Sequence, residues 1–114
     1  MMEISIKTTN LELTSAIESY VYKKVSSLAK FLKNIDSSVQ EARVEIGKPS
    51  GHHRKGKVFY AEINLRLPGK LLRAASKNWD LMTAIDDAKD EMQIQIKRYK
   101  ERWKDLNRKK SKLS

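Results

Sequence analysis

The sequence has no cysteine and no apolar run long enough to cross a bilayer. The missing cysteines exclude a disulfide framework and thiolate chemistry, which is compatible with a reducing cytosol. A membrane-spanning helix needs about 20 consecutive, mostly apolar residues. Residues 1–7 also lack the apolar core of a signal peptide and the Arg/Ser-rich character of an organelle presequence. We therefore expect a soluble, cytoplasmic protein, and its 114 residues suffice for one two-layer domain.

Motifs for catalysis and metal binding are also missing, since there is no phosphate-binding glycine loop and no nucleophile elbow. His52 and His53 lie in a glycine-rich segment, residues 47–56, without a carboxylate or cysteine at ligand spacing, which favours a flexible basic loop over a metal site. A second candidate site is an acidic cluster formed by Asp86, Asp87, Asp90 and Glu91. Complementation of a helix dipole and i,i+4 pairing explain these acids more simply, so we predict neither an enzyme nor a bound metal or cofactor.

Positive charge is abundant and unevenly distributed. The chain has 24 Lys and Arg against 14 Asp and Glu, a net charge of +10. Residues 97–112 contain nine of the basic residues and two acids, a net +7, which leaves +3 for the rest of the chain. Such clustering is typical of a protein that binds a polyanion. The alternative is a solvated tail that only aids solubility.

Alternating apolar residues predict four strands, at residues 3–8, 40–46, 57–67 and 72–76. Between the first two strands, an apolar stripe over residues 17–32 predicts a helix that Thr14 or Ser15 caps. Ser15 and Glu18 have the spacing of a capping box. This helix carries several lysines away from its apolar stripe, so it also presents a basic outer face.

The last third of the chain predicts one long helix, from Asp80 at its N-cap to about Lys110. Apolar residues that repeat every seven positions, and their neighbours, form a stripe toward the core: Ile85, Met92, Tyr99 and Leu106, with Ala88, Ile96 and Trp103. Ile94 lies about 180° from Ile85 and is predicted to be exposed. At about 45 Å the helix is longer than a ten-residue strand of about 33 Å, so its basic end should extend beyond the domain.

Together these elements predict an α+β fold of βαβββα order, a two-layer sandwich with two helices on one face of a four-stranded sheet. The first helix would join parallel strands through a right-handed crossover, and Pro68-Gly69 suits a type II turn between the last two strands. Basic helices suit RNA duplexes, which proteins recognise through phosphates, 2′-hydroxyls and shape. Tyr99 and Trp103 are interleaved with the cations, although the alternative is that both are core residues. Trp79 fits the core less well and is a candidate surface contact.

The chain resembles a known family over almost its whole length up to Lys104. The matching stretches are I-S-I-K and L-E-L-T-S-A-I near the start, F-Y-A-E-I-N-L-R-L-P-G-K-L-L-R-A from Phe59, W-D-L-M-T-A-I-D from Trp79, and Q-I-K-R-Y-K from Gln95. They are similar to the ribosome hibernation promoting factor family, also called ribosome-associated inhibitor or sigma-54 modulation protein, in its short form. The resemblance implies a double-stranded-RNA-binding-domain-like unit over residues 1–104, followed by a basic helical extension or tail over residues 105–114.

The same resemblance implies a function and a set of RNA-binding residues. Members of the family bind the small ribosomal subunit between its head and body, where they occupy the mRNA channel and the A and P tRNA sites and inhibit translation in stress or stationary phase. Carried over residue by residue, the rRNA-binding positions are Lys23, Lys24, Lys30, Lys97, Arg98, Lys100, Arg102 and Lys104. We expect no membrane partner.

This sequence departs from the family pattern at several positions. Met82 stands where the family usually has Tyr, and Glu91 and Ile94 stand where it often has basic residues. The dimerisation domain of the long forms is missing, so we expect a free monomer that leaves ribosomes as single particles. The alternative function is a basic protein-interaction or membrane-surface module, unrelated to the ribosome, that uses residues 97–112.

Overall fold

The computed structural model describes residues 2–33, 35, 40–49 and 58–113, without the side chains of 103 and 105–113. His52 and His53 therefore lie outside the described residues. Its elements are β1 (Glu3–Thr9), α1 (Ser15–Ser26), a 3₁₀ helix (Ser27–Leu32), β2 (Glu41–Gly47), β3 (Phe59–Leu67), β4 (Lys70–Asn78) and α2 (Leu81–Leu113). Within the part of the chain that the structure describes, no helix is long and apolar enough to span a membrane.

The four strands form one sheet in the order β1-β2-β3-β4. β1 and β2 are parallel, and the other two pairs are antiparallel. The alternation of apolar residues places one face of the sheet in the core, with Val44, Ile46, Ile63 and Leu65 at most 2% exposed. α2 packs on β3 and β4, and α1 contacts both β1 and α2. The predicted βαβββα order and four-stranded sheet are confirmed.

The start of α1 is set by Thr14. Its backbone is extended, and its Oγ1 accepts a hydrogen bond from the Ile17 amide at 3.2 Å. Of the two predicted caps, Thr14 is correct and Ser15 is wrong. The capping box between Ser15 and Glu18 is also wrong, because Ser15 is already the first helical residue and Glu18 lies one position too late for the reciprocal bond.

The single helix predicted over residues 17–32 changes form near its middle. After Ser26 the chain continues as a 3₁₀ helix. The hydroxyl groups of Ser26 and Ser27 donate to the carbonyl oxygens of Lys23 and Lys24, three residues earlier in each case. Serine side chains that bond to nearby backbone oxygens compete with regular α-helical bonding, which accounts for the change at this pair. Val25 and Leu28 nevertheless stay fully buried on either side of it.

α2 follows the predicted pattern closely. The Asp80 carboxylate caps it by accepting from the Thr83 amide at 3.0 Å and from the Thr83 hydroxyl at 2.7 Å. Ile85, Met92 and Ile96 are at most 1% exposed in the core, whereas Ile94 is 47% exposed on the opposite side. The side chains of Trp103 and Leu106 lie outside the described residues.

The length of α2 carries its end past the sheet. Its 33 residues span about 50 Å, while the nine residues of β3 span about 30 Å. The Tyr99 hydroxyl donates to the Pro68 carbonyl oxygen at 2.8 Å, so the helix passes the β3–β4 turn near Tyr99. In that turn Gly69 has a φ of +71°, as the central glycine of a type II turn requires.

Candidate nucleic-acid interface

The topology places the C-terminal ends of both helices at the same end of the sheet. β1 and β4 run in the same direction, because β1 is parallel to β2 and the next two pairs are antiparallel. α1 follows β1 and α2 follows β4. Both helices therefore begin near one end of the sheet and run back toward the other. The later residues of both, where the predicted cations lie, are brought to a common end of the molecule.

One groove lies between the 3₁₀ helix and α2, with a volume of about 470 Å³. Phe31 and Ile96 contribute apolar surface to it, and its cations are Lys97, Lys100 and Lys104. The Lys30 ammonium lies 5.2 Å from the centre of the Phe31 ring. We call the set of Lys30, Lys97, Lys100 and Lys104 the lysine flank. The structure thus brings together four of the eight predicted RNA-binding residues.

A second groove, of about 500 Å³, lies on the other side of α2, against the β3–β4 turn. Its cations are Lys70, Arg98 and Arg102, which we call the arginine flank. Arg98 and Arg102 are among the residues predicted from the sequence to bind RNA, and Lys70 is not. The sequence shows that Lys70 directly follows the predicted turn at Pro68-Gly69. Nothing in the local sequence pattern indicates that this turn packs beside α2.

The two flanks are separated by the outward side of α2. At 100° per residue, Ile94 and Glu101 point away from the core stripe and lie between the lysine and arginine flanks, where both also line the outer edge of the first groove. Asp87, Asp90 and Glu91 are exposed farther up the same helix. The outermost ridge of α2 is therefore acidic and apolar, and the cations lie on its sides. Within the described residues, no group of three or more His, Asp or Glu side chains is placed to hold a metal ion.

Lys24 is held between the helices instead of joining either flank. Its ammonium lies 3.5 Å from Asp86 Oδ1 and 5.5 Å from the centre of the Tyr20 ring. The Tyr20 hydroxyl donates to the same Asp86 oxygen at 2.6 Å. Lys23, the preceding residue, is exposed. Among the side chains that the structure describes, no carboxylate lies within ion-pair distance of Lys23 or of either flank.

The contact between Tyr20 and Asp86 has a measurable consequence. The hydrogen bond to the Asp86 carboxylate, with desolvation, raises the pKa of Tyr20 from 10.0 to about 12. Below pH 10 the phenol is protonated in the folded and the unfolded chain alike, so the hydrogen bond to Asp86 contributes its full stabilisation of the fold there. It is lost as the pH rises toward 12, because the unfolded chain ionises first.

We expect Tyr20→Phe to lower the free energy of unfolding at pH 7 by about 1–2 kcal/mol. In an ultraviolet absorbance titration, Asp86→Asn should return the ionisation of the Tyr20 phenol to near pH 10, its ordinary value. Tyr20→Phe should remove that phenol from the titration altogether. An alkaline titration that is the same for Tyr20→Phe and the parent would contradict this assignment.

The open face of the sheet does not extend the basic surface. Apart from Arg66 and Lys77, the cations on this face form ion pairs across or along the strands: Lys7 with Glu45 at 3.7 Å, Arg43 with Glu41 at 3.0 Å, and Arg73 with Glu62 at 3.0 Å. Charges that neutralise each other in this way attract a polyanion weakly. Trp79 is 70% exposed, as a surface contact requires, but it precedes α2 and so lies at the end of the sheet far from both flanks.

Comparison with known proteins gives consistent matches. The profile of the Sigma 54 modulation protein / S30EA ribosomal protein family matches residues 4–104. The Ribosome hibernation promotion factor of Staphylococcus aureus (strain COL) is 28% identical over 109 residues, which cover 96% of this chain and 52% of that protein. The protein of the same name from Deinococcus radiodurans is 28% identical over 94 residues, which cover 82% of this chain and 47% of that protein. This chain thus spans about half the length of the curated relatives it matches.

Solved structures share its architecture. The N-terminal domain of Protein Y from Thermus thermophilus is 36% identical, with a TM-score of 0.64 and coverage of 86% of this chain and 94% of that one. A ribosomal subunit interface protein from Coxiella burnetii has the same fold, with a TM-score of 0.66 at 16% identity. The match covers 88% of this chain and 98% of that one. Since the family profile covers nearly the whole chain, the protein described here belongs to the Sigma 54 modulation protein / S30EA ribosomal protein family.

Proposed function

We propose that this protein is a ribosome hibernation factor that binds the small ribosomal subunit and inhibits translation. In this proposal it occupies the mRNA channel and the A and P tRNA sites as a monomer, without catalysis. The observation that carries it is the position of the lysine flank: four cations with no ion-pair partner among the described side chains, at the common end of both helices. Family membership supports the ribosome as the source of the polyanion.

Inhibition would be steric. The molecule measures 60 × 27 × 18 Å, and its sheet and helices share one packed core. A folded domain of this size would exclude mRNA from a channel that it occupies. Phosphate contacts would set its affinity and position without reading sequence. Duplex rRNA presents phosphates and 2′-hydroxyls to such a surface, while its deep major groove hides the base edges.

Salt dependence is the direct test of phosphate binding. Each phosphate neutralised by a Lys or Arg releases counterions, with a slope of roughly −0.7 to −0.9 in log affinity against log salt. If both flanks are used, we expect a total slope near −6 and a loss of about 4,000-fold in affinity between 50 and 200 mM salt. Binding to purified small subunits, measured by sedimentation, checks this result. An affinity that hardly changes over that range would contradict the proposal.

The membrane-surface alternative is tested in the same experiment with anionic vesicles in place of subunits. A helix that lies on a membrane needs an exposed apolar face. The apolar stripe of α2 is instead buried against the sheet as far as Ile96, and Tyr99 is packed partly on the same core. Among the side chains of residues 97–112 that the structure describes, Tyr99 is the one apolar group, so they form no exposed apolar face. We therefore expect binding to small subunits and not to vesicles at physiological salt. The reverse result would favour the alternative.

A further inference from the structure

We propose that the arginine flank is a separate binding site for a phosphodiester strand, distinct from the strand that the lysine flank binds. The protein would then hold two segments of rRNA backbone, one on each side of α2. This inference rests on the proposed function, because it takes the polyanion to be ribosomal RNA. It adds Lys70 to the binding residues and divides the predicted cations of α2 between two contacts.

The first argument is the angle between the flanks. From the 100° turn per residue, the mean direction of the lysines of α2 and that of the two arginines differ by roughly 150° around the helix axis. Each set faces a different neighbour, the 3₁₀ helix on one side and the β3–β4 turn on the other. Cations pointing in nearly opposite directions from one helix cannot all contact the same face of one strand.

The second argument is the surface between the flanks. A strand passing from the lysines to the arginines over the outside of α2 would cross Ile94 and Glu101, both of which are exposed. Along the helix axis Glu101 lies between Lys97 and Lys104, about 6 Å from the first and about 4.5 Å from the second. It lines the outer edge of the first groove, so its carboxylate would meet the strand as the strand leaves the lysines. Phosphates and carboxylates repel each other, and an apolar side chain offers a phosphate no hydrogen bond. Two strands, one beside each flank, avoid this ridge.

The third argument is that the elements that carry the arginine flank, α2 and the β3–β4 turn, are already held together. The Tyr99 hydroxyl fixes the β3–β4 turn to α2 through the Pro68 carbonyl oxygen at 2.8 Å. The Gln95 amide donates to the Arg73 carbonyl oxygen at 2.6 Å, which holds β4 to the same helix. The Tyr99 hydroxyl is a donor at neutral pH, since the ordinary pKa of a tyrosine is 10.0 and burial raises the pKa of this one further. The groove thus exists before any ligand binds.

The chemistry of this groove fits a phosphate backbone. Arg98 and Arg102 are one helical turn apart, about 6 Å along the axis, and each guanidinium can bind a phosphate through two parallel hydrogen bonds. Lys70 adds a third cation from across the groove. The floor is apolar, with Leu72 and the ring of Tyr99, so a sugar or an unstacked base also finds a surface there.

The test compares two double variants that remove equal charge from the same helix, Arg98→Gln/Arg102→Gln and Lys97→Gln/Lys100→Gln. We expect each to lower affinity for purified small subunits by about 30-fold and to reduce the magnitude of the salt slope by about 2. Protection of rRNA from hydroxyl radicals should be lost at different nucleotides in the two variants. Lys70→Gln should weaken the protections that the arginine variant loses and no others.

The matched control is Arg66→Gln/Lys77→Gln, which removes two exposed cations from the open face of the sheet. It should bind like the parent, and circular dichroism melting should be similar for all variants. The inference is overturned if the arginine variant binds like the parent, or if both helix variants lose the same protected nucleotides. A parent protein that fails to bind small subunits would overturn the proposed function itself.

Discussion

Replacing Lys97, Arg98, Lys100 and Lys104 together by glutamine is expected to lower affinity for the small ribosomal subunit by about 1,000-fold, with an equal loss of translation inhibition. The loss of four phosphate contacts, each of which contributes about −0.9 to the slope of log affinity against log salt, accounts for a decrease of about 1,000-fold in affinity at physiological salt. Stability should hardly change, because the four side chains lie off the apolar stripe and such surface substitutions cost within about 0.5 kcal/mol each. Glutamine also has nearly the same helix propensity as lysine and arginine.

The charge-matched control removes four cations from the open sheet face by changing Lys7, Arg43, Arg66 and Lys77 to glutamine. Two of these take part in surface ion pairs with Glu45 and Glu41, which contribute little to stability. This variant has the same net charge as the helix variant and should inhibit translation much more strongly. Equal inhibition by the helix variant and the parent would show that the basic helix is only a solvated face.

Ile85→Ala is expected to have the opposite effect, a loss of stability without a change of binding surface. Ile85 is 1% exposed, and removing its buried methyl and methylene groups should cost about 2–5 kcal/mol. For a domain of this size that lowers the melting temperature by roughly 10 °C or more. Inhibition should fall only to the extent that the protein unfolds, as circular dichroism and inhibition measured on the same samples would show.

Ile94→Ala is the matched control, because it makes the same change on the same helix. Ile94 is 47% exposed on the outer ridge, so its loss should change the free energy of unfolding by about 0.5 kcal/mol or less. A destabilisation of Ile94→Ala equal to that of Ile85→Ala would mean that the two sides of α2 are not distinguished by burial.

The secondary structure was predictable because it depends on short-range patterns. The alternation of apolar and polar residues predicted which side chains of β3 face the core. The seven-residue spacing of Ile85 and Met92 predicted the buried face of α2. Asp80 could be assigned as a cap because its carboxylate bonds only three residues along the chain. The failures were also local. Thr14 and Ser15 are equally good caps by residue type, and the extended backbone at Thr14 decides between them.

Hydrogen bonds and ion pairs between residues far apart in the sequence could not be predicted from these short-range patterns. Gln40 is a polar residue before a strand, and it is buried because its amide donates to the carbonyl oxygens of Leu32 and Ile35 at 3.2 and 2.9 Å. Lys24 was assigned to the RNA surface, and Asp86 had been placed with the helix-dipole acids. Their approach to 3.5 Å follows only from the packing of α1 against α2.

By itself, the sequence determined the fold, the buried face of α2 and the concentration of cations beyond residue 96, since each follows from residue type and from the periods of helix and strand. Only the tertiary structure decided how those cations are divided. A helical period places Lys97 and Arg98 about 100° apart, but it does not say which neighbour each one faces. That depends on contacts such as Tyr20 to Asp86 and Tyr99 to Pro68, which join residues 66 and 31 positions apart. The separation of the lysine flank from the arginine flank is therefore a property of how the helices pack on the sheet.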